Sequence, residues 1–88
     1  MPGASGLHSP AYRRLCGLLR RWREDAGLTQ RALAARLGKP PSYVHKCETA
    51  ERRVDAIEFI AWCESCDRDP PESLAEVRRE VAGRAGRR

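Results

Sequence analysis

The segment from Thr29 to Glu48, TQRALAARLGKPPSYVHKCE, decides how this chain folds. It divides into two short helices around Gly38. Thr29 offers a hydroxyl to the free N–H groups of a helix start, and Gly38 is the residue type that ends a helix in a left-handed conformation. Pro40 and Pro41 fit only a turn and a first helical turn, so the second helix starts there and spans about 41–47. Leu33, Leu37, Val44 and Cys47 are spaced to bury one shared face. The small Ala34 sits where two crossing helices would touch. Gln30, Ser42, Tyr43, His45 and Lys46 are left facing outward.

Working outward, Ser9-Pro10 is a further helix start, because Ser caps and Pro fits the first turn. Leu15, Leu18, Leu19, Trp22 and Ala26 then recur at helical spacing up to Gly27. After the central pair, Asp55 caps a fourth helix to about Cys66, with Ala56, Phe59, Ile60, Cys63 and Cys66 on one face. Asp69-Pro70 repeats the cap-plus-proline signal and opens a fifth helix through about Ala82, striped by Leu74, Val77 and Val81. Residues 1–8 read as a flexible arm and 83–88 as a basic tail, leaving one domain over 9–82. No strand pattern or internal repeat appears. The expectation is an all-α, five-helix bundle.

Eighty-eight residues allow one modest core. No apolar run approaches the roughly 20 residues that cross a bilayer, and no signal peptide is apparent. A soluble, cytoplasmic protein is expected. Seventeen Lys plus Arg against twelve Asp plus Glu give a net charge of +5, which suits a polyanionic partner. Arg-rich composition from a GC-rich genome would give the same excess. No Ser-His-Asp grouping, carboxylate pair or phosphate-cradling glycine loop stands out, so neither an enzyme nor a cofactor is expected.

The central helix pair has the pattern of a helix-turn-helix, which inserts its second helix into the DNA major groove. Several details go further. Leu28-Thr29-Gln30, Leu33-Ala34 and Leu37-Gly38, then Ser42-Tyr43-Val44 with Lys46 and Glu48, then Arg52-Arg53 before an apolar helix, together resemble the Cro and phage-repressor family, also called the xenobiotic-response-element type. Leu19-Arg20 and Trp22-Arg23 before Gly27 match its first helix. The resemblance covers roughly residues 15–70.

That resemblance implies double-stranded DNA as partner, a homodimer on a palindromic operator, and transcriptional repression. It implies that Thr29 and Gln30 meet a phosphate at the start of the second helix. Ser42, Tyr43 and Lys46 would reach base edges, with His45 reading bases or backbone. Lys39, Thr49, Arg52 and Arg53 would bind flanking phosphates. Arg23 and Glu48 match a partly buried ion pair that fixes the reading angle. The family favours Gly where Ala50 stands, so Ala50 either takes a positive φ at a cost of roughly 1 kcal/mol or the turn changes shape.

Two other readings stay open. One is an antitoxin or adaptor that uses this fold to hold a protein encoded nearby. The other is a thiol or zinc sensor at Cys63-x-x-Cys66, half of a zinc site. Against the second, Cys47, Cys63 and Cys66 all fall at core-facing positions, where a free Cys acts as a small hydrophobe. Trp22 reads as core. Ile57 and Trp62 flank the buried face of helix four, as edge packing or a dimer patch.

Overall fold

The computed structural model describes residues 9–86, with side chains through Ala82. Five helices follow in order: α1 (Pro10–Asp25), α2 (Gln30–Leu37), α3 (Ser42–Glu48), α4 (Ala56–Ser65) and α5 (Pro70–Gly86). The fold is all-α, and no strand occurs among the described residues. The expected arm, with His8, lies outside them, as do the last two residues of the expected tail.

Every helix start but that of α3, which follows Pro41 without a side-chain cap, operates through a side-chain hydrogen bond. Ser9 Oγ accepts from the Tyr12 N–H at 3.1 Å, and Thr29 Oγ1 from Ala32 at 3.0 Å. Asp55 and Glu58 form a reciprocal capping box: Asp55 Oδ1 accepts from Glu58 N at 2.8 Å, and Glu58 Oε1 from Asp55 N at 3.0 Å. Gly38 closes α2 at φ 68°, ψ 34°, with the Lys39 N–H on the Ala34 carbonyl at 2.9 Å. A side chain would be strained in that conformation, which is what allows α3 to turn across α2 within a few residues.

One core joins α1 to α4 through Leu19, Trp22, Leu33, Val44, Cys47, Trp62 and Cys63. Trp22 meets Phe59 edge-on at 6.0 Å between centroids, and the Arg68 guanidinium covers its ring at 4.6 Å. A satellite cluster of Tyr12, Cys16 and Ala50 packs under the chain that leaves α3. Tyr12 secures that chain: its hydroxyl accepts from Val54 N at 2.9 Å and donates to the Arg52 carbonyl at 3.2 Å.

Three features depart from the helical-wheel reading. Trp62 is fully buried, and its indole N–H donates to the Leu19 carbonyl at 3.1 Å, so it is no dimer patch. Ala56, Ile60 and Leu74 are exposed instead of core-facing. Because α4 carries apolar residues on every side, its periodicity could not select the buried face. Finally, α5 stays helical through Gly86, so the expected tail begins as helix.

Ala50 takes φ 64°, the positive value implied by the family's glycine. Asp67 does the same after α4, at φ 59°.

Candidate nucleic-acid interface

Helix α3 has seven residues and two distinct sides. Val44 and Cys47 are buried against α1 and α2. Ser42, His45 and Lys46 point to solvent, and Thr49 continues their row one turn on. Spacings of three, four and seven put these four polar side chains on a single strip. Thr49 Oγ1 lies 2.9 Å from both the His45 carbonyl oxygen and Glu51 Oε2, and His45 Nε2 stands 4.0 Å from that carboxylate.

Tyr43 is not on that strip. It is only 7% exposed, a correction to the expectation that it faces outward. The Lys39 ammonium lies 5.2 Å from its ring centroid and the Arg52 guanidinium 4.8 Å, so two cations from either side of α3 cover it. Burial raises its phenol above the ordinary range. Tyr43 therefore supports Lys39 and Arg52 and offers no exposed edge of its own.

The helix is aimed by a carboxylate. Glu48 accepts from Arg23 Nε at 2.6 Å and Nη2 at 3.1 Å, the pair expected from sequence. Gln30 Nε2 donates to the same carboxylate at 3.0 Å, and Arg23 Nη1 to the Leu28 carbonyl at 2.8 Å. α1, the α1–α2 turn, α2 and α3 thus meet at one anion. Gln30 is half-buried in this network, with its amide nitrogen committed; Thr29 beside it is exposed.

The flanking cations differ in freedom. Lys39 is exposed. Arg53 is exposed with its guanidinium 4.8 Å from the Tyr12 ring centroid. Arg52 is bound bidentately by Glu58, Nη1 to Oε1 at 3.0 Å and Nη2 to Oε2 at 2.9 Å. That guanidinium holds the Glu58 carboxyl down at about 2. Sequence reasoning missed Glu58, although Asp55-x-x-Glu58 is a legible capping box.

The thiols lie elsewhere. Cys16, Cys47, Cys63 and Cys66 are free and buried, and desolvation pushes each thiol up, Cys66 to about 11. No group of three or more His, Cys, Asp or Glu among the described residues is placed to hold a metal ion. No described helix is long and apolar enough to cross a membrane.

A helix pair meeting through a left-handed glycine, with a polar strip on the second helix and cations around it, defines a helix-turn-helix DNA-binding module. Residues 14–77 match the helix-turn-helix domain family. Among solved structures the chain is similar to an XRE-family like protein from Pseudomonas syringae pv. tomato str. DC3000. The identity is 45% and the TM-score 0.75, over 81% of this chain and 87% of that one. No curated protein matches it. The chain belongs to the helix-turn-helix family of the Cro and XRE type, and it is a DNA-binding regulator.

Proposed function

We propose that the protein is a sequence-specific repressor that binds as a homodimer to a palindromic operator. The observation that carries this reading is the exposed strip of α3, where Ser42, His45 and Lys46 take no part in the core. Side chains so free can meet base edges, which carry a distinct donor and acceptor pattern in the major groove. Thr49 at the end of the strip, with Thr29, Gln30, Lys39, Arg52 and Arg53 from the segments on either side of α3, would meet backbone phosphates, which position the protein without selecting sequence. Tyr43 contributes from beneath, by holding Lys39 and Arg52.

Dimerisation is supported by an apolar groove of about 670 Å³ between α1, α4 and α5, floored by Leu15, Phe59 and Val77. Ile60 and Leu74 line it and Ile57 lies nearby on α4; Ile57 is 74% and Leu74 58% exposed. A dimer on a palindromic operator needs its two α3 helices in successive major grooves roughly 34 Å apart. The same groove favours, as a second reading, an adaptor that holds another protein.

Footprinting on the promoter of the protein's own gene tests the proposal. The wild type should protect two half-sites. Lys46→Ala should lose preference for them over mixed DNA by about 1–3 kcal/mol while still binding both. Full selectivity in that variant would remove Lys46 from the reading set. A complex with a neighbouring gene product, formed without any DNA protection, would replace the repressor reading with the adaptor.

A further inference from the structure

We propose that Glu58 restrains DNA affinity by cancelling the charge of Arg52 at the edge of the interface. The inference rests on the DNA-binding reading and adds to it a residue that lowers binding. Three contacts fix Arg52. Its guanidinium stacks 4.8 Å from the Tyr43 ring centroid, is held by both oxygens of Glu58, and donates from Nη1 to the Arg53 carbonyl at 2.8 Å. Both Nη1 hydrogens are thereby engaged within the protein.

Glu58 is fixed just as firmly. Its Oε1 also accepts the Asp55 N–H at 3.0 Å and completes the cap of α4. The carboxylate cannot swing away from an approaching phosphate without uncapping that helix. The Arg52 side chain is 40% exposed and that of Glu58 17%, so the cation forms the outer layer with the anion behind it. A phosphate reaching Arg52 therefore meets a neutral pair. It gains hydrogen bonds from the remaining N–H groups but little of the counterion release that a lone cation brings. Lys39, whose ammonium also lies over the Tyr43 ring, acts on Glu58 through space but is bound by no carboxylate as Arg52 is among the described residues.

The test is a charge cycle on the full chain, read by fluorescence anisotropy on a labelled mixed-sequence DNA duplex at several salt concentrations. Glu58→Gln keeps the capping box, since Gln serves at that position, and leaves Arg52 with its full charge. It should bind about three- to tenfold tighter at low salt, with a log–log salt slope steeper by about 0.9. Arg52→Gln leaves Glu58 facing the phosphates and should weaken binding. The double variant Arg52→Gln/Glu58→Gln removes a neutral pair and should return to the wild-type slope. Thermal melts confirm that each variant is folded, and the double variant reads the pair even if one single variant melts early. A Glu58→Gln slope equal to wild type, or a double variant as weak as Arg52→Gln, overturns the proposal. Absence of any DNA binding by the wild type would overturn the DNA-binding reading as well.

Discussion

Glu48 on α3 and Arg23 on α1 are joined by two hydrogen bonds, at 2.6 and 3.1 Å, with both side chains nearly closed to solvent. A buried pair of this kind adds little over a well-packed apolar one, but breaking it strands a charge. Glu48→Ala should therefore cost on the order of 3–5 kcal/mol, because Arg23 stays buried without its anion. Urea unfolding measures this directly. A loss below about 1 kcal/mol would mean the pair behaves as a surface bridge.

The four buried thiols should be inert in the folded protein. Only the thiolate reacts, and burial raises every one of these groups, Cys66 to about 11. A thiol reagent at about pH 8 should label none of them quickly in native protein and all of them in denaturant. Rapid native labelling of Cys63 or Cys66, or a stoichiometric zinc ion, would revive the sensor reading.

Glu58 gives stability an acid limb. Its folded carboxyl is held at about 2, below its ordinary 4.5. A lowered folded value means the stabilisation is complete above the ordinary range and fades as pH falls from 4.5 towards 2. Arg52 is partly exposed, so solvent screening limits the effect to on the order of 1 kcal/mol. Melts across that range should show wild type converging on Glu58→Gln as acid is added. Parallel curves would remove Glu58 from the acid response.

Asp67 follows α4 at φ 59° and is exposed. Asp67→Gly should stabilise the fold by about 0.5–1 kcal/mol, by relieving a conformation that side chains resist. A raised melting temperature checks it. Ala50, at φ 64°, differs because its methyl is buried against Tyr12 and Cys16. In Ala50→Gly the relief and the lost packing should nearly cancel, leaving a change under about 0.5 kcal/mol.

The central helix pair was legible because its signals are local. Thr29 caps, Gly38 turns, and Leu33, Val44 and Cys47 point one way because α3 is polar on its other side. The observed α3, Ser42–Glu48, is shifted one residue towards the C-terminus from the expected 41–47. Tyr43 was misread because its hydroxyl suggests exposure, whereas the Lys39 ammonium and the Arg52 guanidinium, from the segments before and after α3, lie over its ring. Trp62 and Ile60 exchanged roles because α4 is apolar all round, and packing against α1, α2 and α5 chose the face. The part of Arg52 depends on Glu58, six residues away across a turn, and no helical period links them.

The division of α3 into three buried anchors and an exposed strip also bears on how this lineage can change. Substitutions at Ser42, His45 or Lys46 touch no core neighbour, and such surface changes usually stay within about 0.5 kcal/mol. Tyr43, Val44 and Cys47 have no such latitude. If those three positions read bases as proposed, a descendant can drift to a new target sequence through them while keeping a fold that Glu48 holds in place, and recognition would diversify among relatives long before architecture does.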